Sequence, residues 1–364
     1  MKINRQLIEF KDTFTLESGK VLSGFELMVD TYGELNSNTS NAILVCHAFS
    51  GNHHAAGKHN TDVTEGWWDQ MIGPGKAIDT NKHFVVCPNN LGGCAGSTGP
   101  TSINPASKEP YGGDFPVVSV SDWVNSQKLL MEHLGINKWE LVIGGSLGGM
   151  QALEWSLSYP DLVNKAGVIA AAAKASTQNI GMNEVAREAI RKDENFHDGN
   201  YLAMRTKPKR GLKTARMLGH ITYLSEEHMN LRFGRKVQNE DTKIDGYVDF
   251  EIENYLKYKG EKFSDSFDAN SYILMTKAMD GYDPASRKNG NLYKAMEPIK
   301  AKLLIVGFET DWLFPAKRGK EIQAAAMNAN ILSSFVILPG NQGHDSFLFH
   351  TPEYEKIINN FIES

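Results

Sequence analysis

One stretch of ten residues constrains the fold of this chain more than any other: residues 141–150, Leu-Val-Ile-Gly-Gly-Ser-Leu-Gly-Gly-Met. Three β-favouring apolar residues lead into the pattern Gly-x-Ser-x-Gly, and apolar residues at helical spacing follow. A serine at the tip of a strand-to-helix turn has a strained backbone, so the residues two positions away must lack a Cβ atom. Because Gly144 and Gly148 meet this requirement, the stretch predicts a nucleophile elbow that exposes the hydroxyl of Ser146. The alternative is a glycine-rich turn that only allows close packing, and the flanking patterns argue against it.

Strand-like apolar runs alternate with helical patterns along much of the chain. The predicted strands are residues 42–46, 83–88, 141–143, 166–173, 302–307 and 335–339. The predicted helices include residues 119–134, the segment after Leu147 and residues 352–363, and an antiparallel hairpin is expected within residues 8–32. Such alternation indicates an α/β fold with a mostly parallel sheet and right-handed crossovers. In sheets of this kind, catalytic groups gather outside the carboxyl ends of the strands.

The composition changes between residues 175 and 298, where strand-like runs are few and charges are many. Helical spacing recurs there at residues 185–190, 215–223, 250–258 and 271–279. We interpret residues 175–298 as a helical lid inserted into a core domain formed by residues 1–174 and 299–364. The basic cluster of this lid consists of Arg205, Lys207, Lys209, Arg210, Lys213 and Arg216. A solvated helix face explains most of these charges, and contact with a phosphate-bearing ligand is the alternative for the rest.

Charge and cysteine content narrow the functional class. The formal net charge of the 364 residues is −5, which argues against nucleic acid as the main partner because phosphate binding favours a basic surface. The chain has three cysteines: Cys46, Cys87 and Cys94. This number is small and odd, which argues against a framework of paired disulfides. The first residues contain no apolar signal region, and no apolar run reaches the length of about 18 residues that a membrane span needs. We therefore expect a cytoplasmic protein with no membrane partner.

Four histidines follow the strand at residues 42–46, in the loop that contains His47, His53, His54 and His59. Their spacing matches no zinc pattern, so we expect hydrogen-bonding imidazoles and no metal site. A loop in this position supplies one backbone N–H group of the oxyanion hole in an α/β-hydrolase, and the residue after the nucleophile supplies the other. The predicted oxyanion donors are therefore the backbone amides of Phe49 and Leu147.

A serine, an acid and a histidine follow three different predicted strands in the order Ser146, Asp311, His344. This order is that of the α/β-hydrolase fold, in which the histidine deprotonates the serine and the acid orients the histidine. Glu309 is the alternative acid, and Asp311 is preferred because the loop must turn before its carboxylate can face the histidine. These residues predict acyl transfer through a serine ester. They identify neither the acyl donor nor the acceptor, and a protein that uses water as acceptor would be an esterase.

Longer motifs are scattered over nearly the whole chain. They are residues 66–69, 72–75, 90–94, 99–105, 144–155, 178–180, 183–185, 267–272 and 343–345. In these motifs the sequence resembles the homoserine O-acetyltransferase family, whose members are acyltransferases of the α/β-hydrolase fold. The resemblance implies a triad of Ser146, Asp311 and His344, in agreement with the positions found from the strand ends.

The same resemblance implies residues that bind the substrate. The homoserine-binding arginine and tyrosine of the family match Arg216 and Tyr223, and the acid beside the catalytic histidine matches Asp345. A guanidinium suits the carboxylate of an amino acid, and a carboxylate suits its ammonium group. Two residues depart from the family pattern: Phe49 stands where leucine is frequent, and Ser346 where alanine is frequent.

The resemblance further implies ping-pong transfer of an acetyl group from acetyl-CoA to L-homoserine through a Ser146 acyl-enzyme, a step of methionine biosynthesis. No cofactor is implied, since acetyl-CoA is a co-substrate. The lid would exclude water from the acyl-enzyme, and a homodimer joined through the lids is expected by analogy. Two alternatives stay open: succinyl-CoA as the donor, and a plain esterase or thioesterase of the same fold.

Overall fold

The computed structural model describes residues 1–59, 64–238 and 249–364. The strands are β1 (Ile3–Phe10), β2 (Phe14–Thr15), β3 (Val21–Leu22), β4 (Phe25–Tyr32), β5 (Ala42–Cys46), β6 (Ile72–Gly73), β7 (Ile78–Asp79), β8 (Phe84–Pro88), β9 (Trp139–Gly145), β10 (Val163–Ile169), β11 (Lys302–Phe308) and β12 (Ser333–Leu338). The helices are α1 (Val120–His133), α2 (Leu147–Ser158), α3 (Thr177–Arg191), α4 (Lys209–Tyr223), α5 (Glu226–Arg232), α6 (Glu251–Ser266), α7 (Ala269–Gly281), α8 (Leu292–Met296), α9 (Ala316–Asn328) and α10 (Pro352–Glu363).

Eight strands form the central sheet, in the order β1-β4-β8-β5-β9-β10-β11-β12. The six strands from β8 to β12 in this order are parallel, whereas β1 and β4 pair antiparallel at one edge. All five residues of β5 are buried, as expected for a strand covered on both faces. The predicted α/β fold with a mostly parallel sheet is therefore confirmed.

Two hydrophobic clusters cover the two faces of the sheet. One cluster includes residues of α1, α2 and α9, among them Trp123, Trp155 and Ile322. The other contains residues of α10 together with Trp68 and neighbouring side chains of the loop after β5, and Tyr354 is fully buried in it. Helix α1 begins with a capping box, in which the Ser119 side chain and Asp122 bind each other's backbone amides.

The structure departs from the sequence analysis in three local features. The hairpin expected within residues 8–32 is nested: β1 and β4 pair, with Phe10 opposite Phe25, and the short β2–β3 ribbon lies between them. The strand predicted at residues 166–173 ends at Ile169, because Ala170 has a φ of 44° that turns the chain out of the sheet. The small β6–β7 pair was not predicted, since strands of two residues carry no periodicity.

Helices α3 to α8 lie within the segment predicted as a lid, of which residues 239–248 are outside the described residues. Helices α5 and α8 were not predicted, and the other four are longer than the periodic segments suggested. Two hydrogen bonds join this segment to the loop after β11: Asn179 Nδ2 donates to the carbonyl of Leu313 at 3.0 Å, and Trp312 Nε1 donates to that of Leu224 at 3.0 Å. Among the helices in the described ranges, none has both the length and the apolar character for crossing a membrane.

We expect Gly148→Ala to lower the free energy of unfolding by about 3 kcal/mol, because the added Cβ would overpack a rigid turn. That Cβ would lie 2.1 Å from the carbonyl oxygen of Cys46, a backbone atom that cannot rotate away. Gly181→Ala in α3 is the matched control: its Cβ meets nothing within 4 Å. The control should raise stability by about 1 kcal/mol through helix propensity. Urea unfolding measures both, and equal effects would contradict the proposed contact.

Candidate active site

Ser146 lies between β9 and α2, with φ 58° and ψ −123°, outside the conformations that L-residues usually adopt. The turn is tight on both sides: a Cβ on Gly144 would lie 2.6 Å from the carbonyl oxygen of Cys46, and one on Gly148 would come closer still. The backbone amide of Ser146 donates to the carbonyl of Ile169 at 2.8 Å, which fixes the turn against β10. The strained conformation is the geometry that the glycine spacing predicts.

His344 and Asp311 complete a hydrogen-bonded chain that starts at Ser146. His344 Nε2 lies 2.8 Å from Ser146 Oγ, and His344 Nδ1 lies 2.8 Å from Asp311 Oδ2. The other oxygen, Asp311 Oδ1, accepts from the backbone amide of Phe314 at 2.9 Å, so the carboxylate is held at both ends. Glu309, the alternative acid, is exposed. The structure thus brings together the three residues predicted from the strand ends, in the arrangement that activates a serine.

The electrostatic setting of His344 suits a general base. Burial alone lowers the pKa of its imidazole, but the Asp311 carboxylate outweighs burial and raises that pKa above the ordinary value. The rings of Phe314 and Phe347 lie 5.4 and 5.6 Å from the imidazole and keep water from its faces. An imidazole with a raised pKa holds the serine proton more firmly during attack.

The two predicted oxyanion donors lie at the ends of neighbouring strands. Phe49 follows β5, Leu147 follows β9 as the first residue of α2, and the pairing of Cys46 with Gly144 brings the two strand ends together. In the part of the chain that the structure describes, neither backbone amide donates a hydrogen bond to another protein group. Two free N–H groups beside a serine, one of them at a helix N-terminus, can stabilise a tetrahedral oxyanion.

Hydrogen-bonded histidines shape the loop that carries Phe49. The buried His47 accepts from the backbone amide of Asn90 at 3.0 Å through Nε2, and its Nδ1 lies 2.8 Å from the carbonyl of Ala48. Burial lowers the pKa of His47 to about 4, so the ring stays neutral. His54 binds the buried carboxylate of Asp30 at 3.1 Å. Over the described ranges, no group of three metal-ligating side chains is assembled.

Two adjacent tryptophans, Trp67 and Trp68, connect the loop that carries Phe49 to the turn that carries His344. Their rings stack at 5.5 Å; Trp67 Nε1 donates to the carbonyl of Asn52 at 2.9 Å, and Trp68 Nε1 donates to that of Phe347 at 3.0 Å. One indole thus fixes the loop that carries Phe49, and the other fixes the turn that carries His344. The sequence showed these residues only as part of a shared motif, without a role.

The residues expected to bind an amino acid flank the triad. The guanidinium carbon of Arg216 lies 5.5 Å from the ring centre of Tyr223 and 4.6 Å from that of Phe263, and Arg216 Nη1 is buried without a hydrogen-bond partner. Within the described residues, neither Arg216 nor Asp345 forms an ion pair. Burial raises the pKa of Asp345 to about 6, against the opposing effect of His344 and Arg216. One cation and one anion therefore lie unpaired near Ser146.

Three other cations of the basic cluster form ion pairs at the surface. Lys209, Lys213 and Arg210 pair at the surface with Asp265, Glu261 and Glu194, respectively. This is the solvated helix face that the sequence favoured, and Arg216 alone of these four is directed at the site.

A cavity lies above Ser146, between the core and helices α3, α4 and α7. Phe49, Tyr223, Tyr272 and Leu313 are among its lining residues. Among the described residues, no charged side chain lines it. The departure from the family pattern at Phe49 therefore concerns a wall of this cavity.

Comparison with known proteins identifies the class and then the family. A family model described as the alpha/beta hydrolase fold matches residues 41–351, so the chain has the α/β-hydrolase fold. The homoserine O-succinyltransferase of Hahella chejuensis is 53% identical over 99% of this chain and 94% of its own length. That of Neisseria gonorrhoeae is 49% identical over 100% of this chain and 96% of its own length. The chain belongs to the homoserine O-acyltransferase family.

Solved structures similar to this chain include a member of this family and a protein named as an esterase. Homoserine O-acetyltransferase from Bacillus anthracis has a TM-score of 0.92 and 29% identity, over 100% of this chain and 98% of that one. Esterase E22 has a TM-score of 0.90 and 32% identity, over 99% of this chain and 100% of that one. The same fold thus occurs in proteins named for different acyl acceptors.

We expect Asp311→Asn to lower kcat by about 10⁴-fold, because the amide disfavours the imidazole tautomer that the reaction needs. His344 must be neutral to accept the serine proton, so activity rises with pH through its pKa. Asp311 raises that pKa, and its loss should therefore move the acidic limb of the kcat profile to lower pH. The pH dependence of kcat measures the shift. Glu309→Gln is the matched control, and a limb that moves equally in both variants would contradict the assignment.

Proposed function

We propose that this protein is a homoserine O-succinyltransferase, which transfers the succinyl group of succinyl-CoA to the hydroxyl of L-homoserine. The observation that carries the proposal is the name shared by relatives that are 49% to 53% identical to the chain over nearly its whole length. This donor replaces acetyl-CoA, which the resemblance of the sequence alone had favoured. The acceptor and the type of reaction are unchanged.

In the first half-reaction, Ser146 Oγ attacks the thioester carbonyl carbon while His344 Nε2 accepts the hydroxyl proton. The hydrogen bond of 2.8 Å between these two atoms supports this step. The backbone amides of Phe49 and Leu147 stabilise the oxyanion of the tetrahedral intermediate. The C–S bond then breaks, the sulfur of CoA leaves with the proton from His344, and the acyl group remains on Ser146.

In the second half-reaction, the hydroxyl of homoserine gives its proton to His344 and attacks the acyl-enzyme. Ser146 Oγ leaves and regains the proton, which restores the starting state. Arg216 would bind the carboxylate of the amino acid, Tyr223 would border it, and Asp345 would bind its ammonium group. Two half-buried charges that form no ion pair with a described residue support this role, since the two ends of an amino acid would pair with both of them.

The cavity above Ser146 would hold the acyl group. Its uncharged lining is the observation that keeps acetyl-CoA as the second candidate donor, because a succinyl carboxylate in this cavity would find only neutral hydrogen-bond donors.

CoA release tests this function most directly. We expect release from succinyl-CoA that depends on L-homoserine and is at least tenfold faster than release from acetyl-CoA, which corresponds to about 1.4 kcal/mol of discrimination. Ser146→Ala should lower the rate by about 10⁶-fold, since the nucleophile is lost. A thiol-reactive dye follows the reaction, and mass spectrometry identifies the product. Equal release without homoserine would make water the acceptor, and a preference for acetyl-CoA would reverse the donor.

The ammonium site has its own test in Asp345→Asn. We expect the KM for homoserine to rise about 30-fold, because an amide cannot replace a charge-assisted hydrogen bond to the ammonium group. The burst of CoA release in the absence of homoserine should fall much less, since the first half-reaction does not involve the amino acid. A burst that falls as strongly as the homoserine reaction would assign Asp345 to the triad instead.

A further inference from the structure

A row of aromatic rings leads from the candidate triad across the lid. The ring centre of Tyr223 lies 6.2 Å from that of His344, His220 lies 6.1 Å from Tyr223, and Tyr255 lies 5.7 Å from His220. Burial, with Arg216 and Lys259 nearby, lowers the pKa of His220 to about 3, so its ring is uncharged. The row therefore connects the reacting groups with Tyr255 on α6, and the carboxylate that acts on Tyr223 and Tyr255 is that of Asp345, beside the triad histidine.

Two cations lie on the ring at the end of this row. The guanidinium carbon of Arg232 is 4.7 Å from the ring centre of Tyr255, and Lys259 Nζ is 5.5 Å from it. Arg232 also lies 5.1 Å from the ring of Phe233. Aromatic faces hold both cations in place while leaving their N–H donors available.

Neither cation forms an ion pair with the described part of the chain. The neighbouring lid cations Lys209 and Lys213 form ion pairs at 2.6 and 2.5 Å, whereas Arg232 and Lys259 form none with a described residue. Burial lowers the pKa of Lys259, and Arg216, Lys262 and Arg232 lower it further, while the Asp345 carboxylate opposes them in part, so cations outnumber carboxylates around Lys259. Such a group of cations is unfavourable by itself and becomes favourable when an anion binds.

We propose that Arg232 and Lys259 form an anion subsite, which binds an anionic oxygen group of the acyl donor while its thioester reacts at Ser146. This inference rests on the proposed function. Two groups of the donor have this chemistry: the phosphates of CoA, and the carboxylate of the succinyl chain where that chain extends out of the cavity above Ser146. The planar guanidinium and the compact ammonium both suit such oxygens. Neither residue lines the uncharged cavity above Ser146, so the subsite is separate from that cavity.

The test compares Arg232→Gln, Lys259→Gln and the double variant with Lys257→Gln. Lys257 is an exposed lysine two residues before Lys259 on the same helix, without an ion pair in the described chain, so it is a matched control. Three quantities are measured: kcat/KM for succinyl-CoA, kcat/KM for succinyl-N-acetylcysteamine, which has no phosphate, and the inhibition constant of free CoA. The KM for homoserine is determined in parallel. If the wild-type protein turns over acetyl-CoA instead, acetyl thioesters replace the succinyl ones and succinate is added as a competitor.

We expect each single variant to lower kcat/KM for the CoA donor about tenfold, the loss typical of one charge-assisted contact. Weaker inhibition by CoA, with a smaller effect on the N-acetylcysteamine thioester, would identify the phosphates as the bound group. Losses with both succinyl thioesters, or weaker competition by succinate, would identify the carboxylate. Rates equal to those of Lys257→Gln, or a change confined to the KM for homoserine, would overturn the subsite. Failure of the wild-type protein to release CoA with homoserine would instead refute the proposed function.

Discussion

The candidate site depends on a close approach between two backbone segments, the start of α2 at Gly148 and the carbonyl of Cys46 at the end of β5. This approach places the amide of Leu147 beside the loop that carries Phe49, so that the two predicted oxyanion donors come from neighbouring strand ends. A Cβ atom at either glycine of the elbow would push the strand end and the helix apart. The elbow pattern therefore specifies the relative position of two loops as well as the exposure of a nucleophile.

The position of the loop after β5 relative to the turn at His344 depends on the stacked indoles of Trp67 and Trp68. The loop after β5 and the turn at His344 belong to distant parts of the chain, and each is held through a backbone carbonyl by one of these rings. Stacked rings have few rotatable bonds, so they transmit position between the two loops with little loss of precision. Asn179 and Trp312 act in the same way on the loop that carries Asp311, because their hydrogen bonds join this loop to α3 and to the end of α4.

The sequence predicted those features whose cause is local. Continuous apolar runs marked buried parallel strands such as β5, glycine spacing marked the elbow, and the catalytic groups were found because each follows a strand end. The end of β10 was missed because the alanines after Ile169 carry no breaking signal, although Ala170 turns the chain. The roles of Trp68 and Lys259 were missed because they depend on partners that only tertiary packing brings near.

In the proposed function, the choice of acyl acceptor depends on charges outside the triad. An esterase and a homoserine O-acetyltransferase share this fold, so neither the sheet nor the elbow decides whether water or an amino acid attacks the acyl-enzyme. Charges beside the triad discriminate differently, because in the proposed reaction an amino acid would pair with both Asp345 and Arg216, whereas water would leave both without a counter-charge. Leaving both groups unpaired costs stability in the free protein, and a bound amino acid recovers that free energy where it also excludes water from Ser146.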